Sequence, residues 1–342
     1  MHNYACAKYL LKLVAMKKSI PIVLLLSVIS MYAIAQEKGF YIKPSGGYFI
    51  KVTPVEFPAI NGAPARDRTT TITGTGTTAS STFSESALTG SFGQGFRVGL
   101  VGGYQFNKIL GLELGVNYFS SAEQDMMKQN VFNNGVNVLN LHTVGKVRAL
   151  DLAPALVFRI PSTGKFQPYT KVGVIIPVAG YLQINTSVND QTGQIAAAQG
   201  TVSPAGTRTN LVLNREEQIN PNPTIGFQSA LGFDYKISNR ISVFSELEYR
   251  NVSVGGKDKE LKKYDGTATV VLNATNTPAG SRALNLNDQP VGDREVSYHK
   301  TIKSGMNVKG AANYDPTKPS DELRSYINIG GLGLNVGLKI KI

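Results

Sequence analysis

Residues 326–342 read YINIGGLGLNVGLKIKI, two interleaved sets of opposite character. One parity holds Leu332, Leu334, Val336, Leu338, Ile340 and Ile342. The other holds Gly331, Gly333, Asn335, Gly337, Lys339 and Lys341. A period of two places these sets on opposite faces of a strand. A soluble sheet seldom sets a continuous greasy face against one of glycine, asparagine and lysine. A wall between lipid and a polar interior requires that arrangement.

The same rhythm recurs. Leu110, Leu112, Leu114, Val116 and Tyr118 alternate with Gly111, Glu113, Gly115 and Asn117, and Phe227, Leu231, Phe233 and Tyr235 alternate with Gln228, Ala230, Gly232 and Asp234. Eight strands are expected, at approximately 39–50, 93–106, 110–122, 146–160, 166–181, 223–236, 241–254 and 323–342. Residues 107–109, 161–165 and 237–240 are short links rich in turn formers. The other four connections, roughly 51–92, 123–145, 182–222 and 255–320, are long and together exceed half of the exported chain.

An even number of strands lets a sheet close without exposed edges. The expectation is therefore an all-β chain forming a closed, antiparallel, eight-stranded transmembrane β-barrel. Three short turns would be periplasmic and four long, irregular loops extracellular. Ten strands is the alternative, with 267–273 and 294–303 pairing as an extra hairpin. Phe96 with Tyr104, and Phe227 with Tyr235, mark strand ends on the apolar parity. Eight residues at about 3.3 Å each, tilted about 40°, span roughly 20 Å, near the height of an outer-membrane apolar band. Pro44, Pro154, Pro168 and Pro177 fall inside these strands, where proline removes a ladder hydrogen bond.

Composition alone is neutral: 42% of residues are hydrophobic and 35 of 342 are glycine. The N-terminus supplies an address. Met16, Lys17 and Lys18 form a basic start, residues 20–29 an apolar core, and Ala33, Ile34 and Ala35 an A-x-A site before Gln36. Residues 1–35 thus read as an extension plus signal peptide, with translation starting at Met16 and residues 36–342 forming the barrel domain. Loss of Lys8, Lys12, Lys17 and Lys18 with the leader lowers the formal charge from +12 to +8. The single cysteine, Cys6, precedes the cut, which excludes disulfides and thiol chemistry from the exported chain. Nucleic acid is no partner for such a protein.

The polar parity carries the sharpest constellation. It comprises Lys43, Arg97, Glu113, Asp151, Arg159, Lys171, Asp234, Lys236, Glu246, Glu248, Arg250, Lys339 and Lys341. An eight-stranded barrel is just wide enough for side chains to fill, and buried charges must be paired or hydrated. The expectation is a plugged, charge-paired lumen; the alternative is a narrow ion path along the same groups.

Other motifs are weak. Gly74, Gly76 and Ala79 match G-x-G-x-x-A by letter, but no helix follows in this threonine-rich stretch. Residues 69–86 are low-complexity and expected to be mobile. Residues 257–263 mix both charges and read as a solvated loop. No catalytic, cofactor or metal site is expected. His142 and His299 lie in the long connections, without an assignable serine or carboxylate.

The chain resembles the eight-stranded outer-membrane β-barrels, the OmpA/OmpX/OmpW-like group in its bacteroidete-type form. The resemblance rests on the leader ending Ala33, Ile34, Ala35, on the opening strand Gly39, Phe40, Tyr41, Ile42, Lys43, on Gly99 to Tyr104, and on the final strand. Ile342 departs from the terminal aromatic residue common in the group. The resemblance implies outer-membrane lipid, lipopolysaccharide and the barrel-assembly machinery as partners, with an unknown extracellular ligand. It implies a non-enzymatic structural or surface-interaction role, or alternatively a small porin-like channel for ions or small apolar solutes.

Overall fold

The protein is seen in a computed structural model that describes residues 38–342 apart from 53 and 61. The expected leader and its cleavage site lie outside the described residues. Eight strands pair in a closed ring. They are β1 (Gly39–Lys51), β2 (Gly95–Gln105), β3 (Leu110–Ser121), β4 (Val136–Arg159), β5 (Phe166–Asp190), β6 (Gly226–Lys236), β7 (Ile241–Asn251) and β8 (Gly331–Lys341). All neighbours are antiparallel, and β8 pairs with both β7 and β1.

Burial in this ring is inside-out. Along β8 the glycine, asparagine and lysine parity is buried, whereas Leu334, Val336 and Leu338 stand 55%, 50% and 43% exposed. In β3, Glu113 is buried while Leu112, Leu114 and Val116 face outward. An apolar outer band around a charged interior fits hydrocarbon as the surrounding solvent. Aromatic rings gather near both ends of the band: Phe40 against Tyr104 with centroids 4.7 Å apart, and Tyr48 against Phe96 at 4.8 Å.

The irregular long loops are overturned. The described residues contain nineteen strands, many of them in those connections. β4 and β5 run 24 and 25 residues, far past the expected limits. Their extensions join Gln124–Asn133, Thr207–Pro221, Ser253–Leu272 and Pro278–Asn285, carrying the ring's own sheet beyond the ring. The low-complexity stretch 69–86 is not loose chain: Arg66–Thr73 and Ser80–Ala87 form a hairpin, and the first of them pairs in parallel with Gln124–Asn133. The alternation continues there with its sign reversed, apolar side chains turning inward.

This extension of the sheet has its own apolar core, including Leu139, Leu141, Val188, Leu211, Leu213 and Leu261. The ten-strand alternative also fails. Residues 267–272 belong to Ser253–Leu272, which pairs with Thr207–Pro221, and Glu295–His299 pairs with residues 258–260. Neither enters the ring.

The prolines are absorbed in two ways. At Pro177 the β4–β5 register shifts, a bulge between Pro177 and Ala179. Pro44 and Pro154 interrupt pairing on one side without moving the register. Inside the ring's long-connection end, Phe92 is fully buried and its N–H donates to Asn328 O. Here Gly93 passes so close to Gly330 that a Cβ would lie 1.5 Å from the Gly330 carbonyl oxygen. Only glycine permits that crossing.

Candidate functional site

Alternation on all eight strands aims charged and polar side chains at the ring axis, and they assemble in three layers. Nearest the short turns, Arg159 and Lys339 meet Asp234 at 2.6 and 3.0 Å. In the middle, Lys43 bridges Glu113 at 3.1 Å and Glu246 at 2.7 Å, and Lys171 holds the other Glu246 oxygen at 2.7 Å. Tyr41 and Tyr169 donate their hydroxyls to Glu113 and Glu246. Nearest the long connections, Arg97 pairs with Glu248, Arg250 meets Asp151 at 2.6 Å, and Asn117 and Asn335 donate to Asp151 and Glu248.

Lys43, Arg97, Glu113, Asp151, Lys171, Asp234, Glu246, Glu248 and Arg250 are thus brought together, each no more than 6% exposed. Lys236 and Lys341 are only half-buried. Asn117 and Asn335, already on the polar parity, were left out of the charged constellation, and Tyr41 and Tyr169 were missed, because neutral hydrogen-bonding groups carry no formal charge.

Beyond the last charged layer the interior turns apolar. A pocket enclosing about 890 Å³, its open mouth included, is lined by Met126, Val147, Ala149, Leu182, Ile184, Ile219, Val254 and Ile327 among others. Ala149 and Ile329 border both this pocket and the space beside Asp151 and Arg250, so it sits directly on the charged interior.

One side of this pocket meets a flaw in the wall. β5 pairs with β6 as far as Ile175 opposite Gly226, and pairs with Thr207–Pro221 only from Leu182 opposite Ile219. Among the described residues, no ladder pairing joins 176–181 to 220–225 on that edge. Pro177, Ala179, Gly180, Tyr181 and Pro221 flank this window and also line the pocket. Pro177 and the bulge beside it, on the β4 side, and Pro221 border the window. Sequence reading noted Pro177 but placed Met126 and Ile219 in loops.

Both histidines have a carboxylate partner that the sequence did not reveal. His142 Nε2 lies 2.7 Å from Asp125 Oδ1, and Lys128 meets the same carboxylate at 2.6 Å. Ser187 stands opposite His142 in register, on an outward face of the long-connection sheet rather than in a cleft. His299 pairs with Asp321 at 2.7 Å. Among the described residues, no group of three or more His, Cys, Asp or Glu is placed to hold a metal ion.

No curated protein matches the chain. The outer membrane protein OprG of Pseudomonas aeruginosa is similar at 12% identity with a TM-score of 0.36, over 90% of this chain and 98% of OprG. The E. coli outer membrane protein W is similar at 10% identity with a TM-score of 0.27, over 90% of this chain and all of that protein. The outer membrane protein beta-barrel domain family matches residues 22–274. The chain belongs to that family of transmembrane β-barrels and is a protein of the bacterial outer membrane.

Proposed function

We propose that this is a non-enzymatic barrel, closed along its axis by paired charges, that passes small apolar solutes sideways into the outer leaflet. The short turns face the periplasm and the long connections face outward. The observation carrying this reading is that the apolar pocket adjoins the unpaired window at 176–181. A solute reaching the pocket meets charged side chains below it and a gap in the wall beside it. The lower free-energy path for an apolar molecule is the gap.

Two experiments test this. Cells carrying the protein in their outer membranes should take up N-phenylnaphthylamine, a neutral apolar dye, faster than cells without it. Ala179→Trp, at an exposed position of the window, should abolish the gain; equal uptake with and without the protein would overturn the reading. In planar bilayers the purified protein should give no steady conductance, because each lumen charge already faces a partner. Reproducible channels would reinstate the ion path.

A second reading, surface interaction through the long connections, draws on Ser80–Ala87. All eight of its residues are exposed, Phe83 at 76%. Phe83→Ser should leave dye uptake unchanged; a fall in uptake would tie this hairpin to transport instead.

A further inference from the structure

We infer that the solute held in this pocket is a single-chain amphiphile with one anionic head, bound by Lys259 with its tail toward the window. This rests on the sideways-passage reading and adds the chemistry of the solute.

The pocket has a polar pole. On Thr207–Pro221, one face presents Pro221 at the window, then Ile219, then Glu217. Glu217 lies four residues from Pro221, about 13 Å at about 3.3 Å per residue. Beside Glu217 stand Lys259, Tyr298 and Ser325, which also line the pocket. The cavity is therefore apolar at one end and charged at the other, with the apolar end next to lipid.

The charge at the pole does not cancel. Glu217 Oε1 receives Arg215 at 2.8 Å and Lys259 at 3.2 Å, so two cations share one carboxylate. Lys259 is only 8% exposed. Other acids nearby are otherwise disposed. Asp258 and Glu260 alternate with Lys259 along their strand; Asp258 accepts from Asn220 at 2.5 Å, and Glu260 pairs with Lys262. Glu322 lines the pocket but is exposed. Arg148, the remaining charged lining residue, donates to Tyr181 at 2.7 Å beside the window, away from this pole. A poorly hydrated surplus cation favours an anionic partner.

The test is saturable binding of three twelve-carbon probes to the full protein in zwitterionic lipid nanodiscs, above that of empty discs. The probes are dodecane-1-sulfonate, dodecanol and dodecyltrimethylammonium. The sulfonate should bind about tenfold or more tighter than dodecanol, as one charge-assisted hydrogen bond supplies, and the cation weakest. Lys259→Met should erase the sulfonate preference, and Lys259→Arg should keep it. If Lys259→Met does not fold, the wild-type ranking and Lys259→Arg decide. Equal affinity for sulfonate and dodecanol in the wild type, or a preference surviving Lys259→Met, would overturn the head-group assignment and leave the sideways route standing. Saturable binding of none of the three would overturn both.

Discussion

β4 carries two opposite polarity patterns along one unbroken strand. Between residues 150 and 158 its outward side chains are Leu150, Leu152, Pro154, Leu156 and Phe158, and its inward ones include Asp151. Between 139 and 149 the inward side chains are Leu139, Leu141, Val147 and Ala149, and the outward ones include Asn140, His142, Lys146 and Arg148. Backbone, pairing and alternation stay the same; only the chemical sign changes. Surroundings, not secondary structure, decide which parity is buried. The crossover at 148–150 marks where hydrocarbon gives way to water, and Arg148 bound to Tyr181 sits at that line, as side chains with an apolar body and a polar tip do.

Breaking the ring's interior should have the largest effect. Glu246→Ala leaves Lys43 and Lys171 buried without their main partner, and about 3–5 kcal/mol of stability should be lost in urea unfolding from lipid vesicles. In the sheet's extension the equivalent blow is apolar. Leu139→Ala, at a fully buried position, should cost about 2–5 kcal/mol in the same assay.

The outward faces sharpen the contrast. Leu114→Arg places a cation in the apolar band and should cost roughly 2–4 kcal/mol, whereas Asn140→Lys, outward on the other half of β4, should stay within about 0.5 kcal/mol. Equal costs would move the crossover. A smaller effect concerns acid. Burial raises the Glu217 carboxyl pKa, but Lys259 and Arg215 more than offset it, so its pKa is held below the ordinary glutamate value. The stability it contributes is therefore complete above that ordinary value and lost as pH falls through the lower folded value. Glu217→Gln should flatten this acid limb in pH-dependent unfolding.

The ring was legible because lipid imposes a strict alternation, and residues 331–342 display it without interruption. The lumen charges followed from parity alone. The long-connection sheet was not legible: its strands bury apolar residues on the face that is charged in the ring, so a rule tuned to lipid discarded them as loops. Glu217 and Lys259 were lost with those strands. Their meeting depends on pairing between strands some forty residues apart, which no local pattern encodes.

The bulge at Pro177 has a mechanical consequence. The β4–β5 ladder continues from Tyr169 opposite Arg159 to Asp190 opposite Leu139, and its register shifts only between Pro177 and Ala179. A load on the far tip acts through a stiff lever whose fulcrum is that shift. The torque would fall on residues 176–181, so pulling or bracing the tip would widen or narrow the window without any hinge loop.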